Sequence, residues 1–92
     1  MNRTFIITWE FTTGNVSLLQ TLMQQYPSWC PIHANCWAIL TSGQTADQIR
    51  NHLGQAIASS ADRLFVIRSG TMAAWLNIVG DERNNQWLKQ NL

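Results

Sequence analysis

Three small sets of residues in this chain have the types and spacing that chemistry needs. The first is a single carboxylate, Glu10, at the exit of the apolar run FIITWEF at residues 5–11. An acid in that position must be solvated, paired or used, because a desolvated carboxylate without a partner is strongly disfavoured. Arg63 opens a second apolar run, RLFVIR, at residues 63–68. If the two runs are neighbouring antiparallel strands, Arg63 meets Glu10 and the two form a surface ion pair. The second set is Cys30, His33 and Cys36, with the spacing C-x-x-H-x-x-C. A closed structural zinc site needs four ligands, and beyond these three the chain offers only His52, on a helix. A Cys36–His33 nucleophile pair fits the spacing, but no third residue is evident to orient the histidine. The bland reading of both thiols is core or strand-edge packing. The third set is Arg3, Arg63 and Arg68, all at strand ends. In the same strand pairing Arg3 and Arg68 fall at one end of the sheet, where two guanidinium groups suit a phosphate. The three arginines are therefore candidate nucleic-acid-binding residues. Solvated end charges that discourage edge pairing are the competing explanation. No Gly-rich phosphate loop, nucleophile elbow or dinucleotide fingerprint is present.

The bulk properties limit what these sets can belong to. The chain has 92 residues, enough for one domain, 1–92, with a thin core. Charged residues are 12% of the chain, about half the share usual in globular domains, while hydrophobic residues are 46%. A weakly charged surface over a thin core points to self-association. The net charge of +1 lacks the basic excess that strong non-specific binding to duplex nucleic acid requires. No apolar run approaches the roughly 20 residues that span a bilayer. With no charged-then-apolar leader, the expectation is a cytoplasmic protein with reduced thiols and no membrane partner. Five tryptophans are many for this length. Trp29, Trp75 and Trp87 are the candidates for a subunit interface, and burial in core or interface is favoured over a base-stacking platform.

The elements that must position these residues follow from periodicity. Phe5, Ile7, Trp9 and Phe11 alternate with Thr4, Ile6, Thr8 and Glu10, which predicts a strand with one oily and one half-polar face. Asn15 is a helix cap, and Leu18, Leu19, Leu22, Met23 and Tyr26 follow at helical spacing until Pro27. The segment SWCPIHANCWAILTS reads as a hairpin turning at Ala34 and Asn35, with Cys36 facing His33 and Cys30 near Ile39. Pro31 puts its first arm at a sheet edge or bulge. Thr45 and Gln48 form a capping box before the stripe Ile49, Leu53, Ala56 and Ile57. RLFVIR is a fourth strand. MAAWLNIV is expected to add a strand, and a last helix opening at Asp81 and Glu82 carries Trp87, Leu88 and Leu92 on one side.

This βαββαβ order predicts an α+β, ferredoxin-like antiparallel sheet with two helices on one face, plus an extra C-terminal strand and short helix. The first and third strands are expected to be central and parallel to one another, with the fourth antiparallel beside the first. The other face of the sheet is expected to carry no helix and to be polar or covered by a partner.

Trp9-Glu10 at the end of the first strand, Trp37 opening the third, Ala73-Ala74-Trp75 after the fourth and Trp87-Leu88-Lys89 near the end together resemble a small SinR-like family. That family is related to the small CRISPR-associated nuclease-like proteins. The likeness spans nearly the whole chain. It implies a homodimer in which a late strand of one chain extends the sheet of the other, and possible binding or cleavage of nucleic acid. It also implies that Glu10 is the catalytic and metal-binding acid, with Mg²⁺ held between two copies on a dimer axis. The related proteins use an Asp there, and Glu10 is one methylene longer. The rival reading is a non-catalytic protein–protein interaction module.

Overall fold

The computed structural model describes residues 2–70 and 82–92. The expected strand MAAWLNIV, with Ala73, Ala74 and Trp75, lies outside the described residues. The elements run β1 (Asn2–Glu10), α1 (Val16–Met23), β2 (Ser28–His33), β3 (Cys36–Ser42), α2 (Ala46–Leu53), a single 3₁₀ turn (Gly54–Ala56), β4 (Arg63–Arg68) and α3 (Glu82–Asn91). The four strands form one sheet in the order β2-β3-β1-β4, and every neighbouring pair is antiparallel. The parallel relation expected between β1 and β3 is therefore incorrect. Crossing α1 returns the chain to the direction of β1, and the β2–β3 hairpin then reverses it, so β3 must oppose β1.

Local signals place the elements. Asn15 caps α1 by accepting from the Leu18 amide at 2.9 Å. Thr45 and Gln48 form the reciprocal capping box of α2. Gly43, with φ of 73°, makes the turn from β3 into α2 in a conformation that disfavours a β-carbon. The hairpin turns at Ala34 and Asn35. His33 pairs with Cys36, while Cys30 pairs with Ala38, one residue away from the expected Ile39. Pro31 sits both on the edge strand β2 and at a register shift, where its missing N–H breaks no ladder bond.

The alternation of β1 splits the molecule into two apolar layers. Phe5, Ile7 and Trp9 face α1 and α2, packing with Leu19, Leu22, Met23, Tyr26, Trp37, Ile39, Ile49 and Leu53 in the main core. The other face is not helix-free, contrary to expectation. There α3 covers the β2–β3 half of the sheet. Leu88 is buried with Cys30 and Ala38, and Ile6, Ile32, Trp87 and Leu92 pack around them. Polar bonds fix the helix: Trp87 Nε1 donates to Ser28 Oγ at 2.6 Å, and Thr4 Oγ1 donates to the Asn91 carbonyl at 2.6 Å. The helix contributes little apolar surface beyond Trp87, Leu88 and Leu92, which is why its sequence alone does not say where it docks.

One carboxylate ties the two loops beside the β1–β4 corner. Asp62, buried just before β4, accepts from the backbone amides of Thr12 and Thr13 through Oδ1 and from Ala58 and Ser59 through Oδ2. Burial pushes its carboxyl upward, but the amides of Thr13, Ala58, Thr12 and Gly14 outweigh this and hold it well below the usual carboxylate range. Beside it, a β-carbon on Gly14 would lie 2.6 Å from Phe11 Cδ2 and 2.9 Å from the Ala56 carbonyl oxygen. Only glycine lets the loop press so close.

A carboxyl whose native pKa is depressed stabilises the fold above its unfolded pKa of about 3.9, and that contribution is lost as pH falls toward the native value. Asp62→Asn should therefore melt at a lower temperature than the wild type at pH 7. The gap should narrow between pH 4 and pH 2.5, as followed by circular dichroism. A gap that stays constant or widens on acidification would contradict this role for the carboxylate.

Candidate functional site

The strand register brings the first candidate set together. Glu10 lies opposite Arg63 across β1 and β4, and Arg63 Nη1 reaches Glu10 Oε1 at 2.7 Å. The side chains are 70% and 77% exposed, so water screens the pair from both sides. Thr8, Trp9, Leu64 and Phe65 join them around an open hollow of about 420 Å³. Glu10 thus has a partner of its own, as expected for strands paired in this way. Among the described residues no group of three or more His, Cys, Asp or Glu side chains could hold a metal ion, so a metal at Glu10 needs ligands from elsewhere.

Arg3 and Arg68 lie at the opposite end of these strands. They line a hollow of about 300 Å³ with Asn2, Ser69, Asn91 and Leu92. Arg63 is at the far end of β4, so the three arginines do not form one basic surface. An anion at Arg3 and Arg68 would also meet the C-terminal end of α3, whose outward carbonyls carry partial negative charge.

In the hairpin set both cysteines are buried, and His33 is exposed beside the turn. Cys30 is buried beneath α3, where its thiol donates to the carbonyls of Pro31 at 3.4 Å and Asn84 at 3.8 Å. Burial pushes it up to about 11 and raises Cys36 as well. Both cysteines are free, and at neutral pH both remain thiols, which suits packing and not nucleophilic attack. His52 is half-buried at the edge of α2, where its Nδ1 lies 2.9 Å from the Tyr26 hydroxyl.

The tryptophans also separate. Trp9 and Trp37 are in the main core. Trp29 is 38% exposed and stacks on Trp37, with centroids 5.4 Å apart and planes at 16°. Trp87 packs on its own sheet, and Trp75 lies outside the described residues.

Two features carry no local signal in the sequence. Asp62 stands in a short polar stretch before β4 with no spacing that marks it. Phe65 and Ile67 lie in an apolar strand whose two faces the sequence does not distinguish. The register sets both opposite Thr8 and Ile6, on the face away from α1 and α2, and they remain 56% and 49% exposed. The available signal is that β4 is apolar on both faces although it is the outermost of the described strands.

No protein-family model, curated protein or solved structure matches the chain.

A double-mutant cycle with Glu10→Ala and Arg63→Ala, measured by urea unfolding, should return a coupling below about 1 kcal/mol, as is usual for exposed pairs. A coupling of several kcal/mol would show that the pair is desolvated, for example by a second chain over this corner.

Proposed function

We propose that this chain is a ferredoxin-like interaction module that acts as a homodimer, with its contact surface on the β4 side of the sheet. The ferredoxin-like reading is supported by the βαββαβ element order and by β1 and β3 lying inside β2 and β4. The observation that carries the proposal is the exposed pair Phe65 and Ile67, adjacent on one face of the outermost described strand. Two large apolar side chains side by side, with half their surface in water, mark a contact surface on a domain this small. A second copy suits the surface because the chain has a net charge of only +1, so two copies repel each other weakly. Phe65→Glu and Ile67→Lys should each convert a dimer to a monomer in sedimentation equilibrium while retaining the wild-type circular dichroism spectrum. Dimers that persist in both variants would remove the basis of the proposal.

The resemblance supports a second reading, a metal-dependent nucleic-acid endonuclease with Glu10 as its acid. Glu10 favours it by being exposed beside an open hollow. The experiment is RNA and DNA cleavage with Mg²⁺ or Mn²⁺ in the wild type and Glu10→Ala. The interaction module predicts the same product level in both proteins. Metal-dependent cleavage that disappears in Glu10→Ala would establish the nuclease instead.

A further inference from the structure

We infer that the second copy adds its own β4 to β4 of the first, antiparallel, with Val66 opposite Val66 on the two-fold axis. This rests on the homodimer proposed above and specifies its geometry. Among the described residues, β4 borders β1 alone. The Ser69 amide donates to the Thr4 carbonyl at 2.8 Å, which makes Thr4–Ser69 a pair that bonds directly across the two strands. Such pairs alternate in an antiparallel ladder. Ile67, Phe65 and Arg63 therefore turn their backbone groups toward β1. Leu64, Val66 and Arg68 turn theirs outward, to the edge that no other described strand borders.

That alternation restricts the register. Outward-turned residues must meet outward-turned residues, which excludes Arg63 opposite Arg68, a register that would also set like charges together at both ends. With Val66 opposite Val66, Leu64 meets Arg68 of the other strand and Arg63 meets Ser69. Phe65 then lies directly opposite Ile67, twice by symmetry, so each exposed apolar side chain is covered by the other kind. Centring one residue earlier would instead set Arg63 against Ile67. The middle of β4, Leu64 to Ile67, contains no charge, proline or bulge, the devices that usually block an edge. A hollow of about 200 Å³ runs along this strand, lined by Leu64, Phe65 and Val66 of β4 and by Ala46, Asp47 and Arg50 of α2, and no other described strand fills it.

The geometry has a consequence for Glu10. Its two copies would be separated by three strand spacings of about 4.8 Å and by about 20 Å along the strands, roughly 25 Å in all. Two carboxylates that far apart cannot share one metal ion.

Val66→Pro tests the edge. The Val66 amide points away from β1, so proline there removes an outward donor without removing a bond to β1. The expected result is a folded monomer, judged by circular dichroism and sedimentation equilibrium. Val66→Cys tests the occupant, because residues opposite one another at a directly bonded position have Cα atoms about 5.5 Å apart, within disulfide range. Mild oxidation should cross-link at least five times more of Val66→Cys than of the wild type, whose own thiols are buried. A dimer that survives Val66→Pro but is lost in Phe65→Glu would overturn the strand pairing and leave the homodimer standing. A Val66→Cys dimer that does not cross-link would assign the edge to another segment of the second chain. A wild type that is monomeric at high concentration would overturn both readings.

Discussion

The carboxylate of Asp62 sets the geometry on which the β1–β4 corner depends. Four amide groups from two loops, remote in sequence, converge on its two oxygens. One loop leaves β1 and the other leads into β4, so the carboxylate fixes where both strands end. With those ends fixed, Glu10 must fall opposite Arg63, and the rest of the β1–β4 register follows from it. The register in turn decides which side chains of β4 face the helices and which backbone groups point outward. A slip of one residue would turn Phe65 and Ile67 into the core and expose Leu64 and Val66. Gly14 is part of the same constraint, since its lack of a side chain lets the first loop approach the Ala56 carbonyl. A buried acid is normally a liability, and here saturation by amide donors makes it a fastener.

The second face of the sheet shows how a small domain divides limited apolar surface. Helix α3 shields Cys30 and Ala38 with little more than Leu88, Trp87 and Leu92. Its polar bonds supply orientation: an indole N–H to Ser28 at one point and a threonine hydroxyl to the carbonyl of Asn91 at another. The helix stops over β2 and β3. Beyond Ile6 the face continues to Thr8, Phe65 and Ile67, and the last two are the most exposed large apolar residues of the described chain. The covered half explains the buried Cys30, and the uncovered half explains the proposed association. The chemistry suggested by C-x-x-H-x-x-C is therefore absorbed by packing, whereas the unremarkable strand RLFVIR becomes the informative one.

Much of this arrangement was legible in the sequence, for identifiable reasons. Asn15, and Thr45 with Gln48, act within a few residues of themselves, so their caps could be read directly. The alternation from Thr4 to Glu10 assigned the core face of β1 because one side of that strand is plainly oilier. The Glu10–Arg63 pair followed from strand order and direction. The relation of β1 to β3 differs from the expected one because α1 leaves β2 running with β1, so the hairpin is the single net reversal between them. The docking of α3 was not legible, since three apolar residues on a polar helix fit any nearby groove. Nor was the role of Asp62, whose donors Thr12 and Thr13 lie about 50 residues away. No local spacing encodes a carboxylate that works on loops brought together only by the finished sheet.

An edge strand without protection is costly to keep unless it is used. Natural sheets commonly guard an outer strand with a charge, a proline or a bulge in its middle. The opposite edge of this sheet follows that rule, because β2 carries Pro31 and a register shift. The β4 edge does not, and its two arginines stand only at the ends, where they leave Leu64 to Ile67 uninterrupted. The contrast lies within one sheet, so it does not come from a general lack of such devices in this sequence. In the proposed pairing the arginines at the two ends would also limit open-ended growth. A strand shifted far enough to leave an overhang would lose the proposed Phe65–Ile67 contacts and bring an arginine against apolar side chains. Guarding one edge while the other accepts a single symmetric partner would yield a closed pair in place of a fibre.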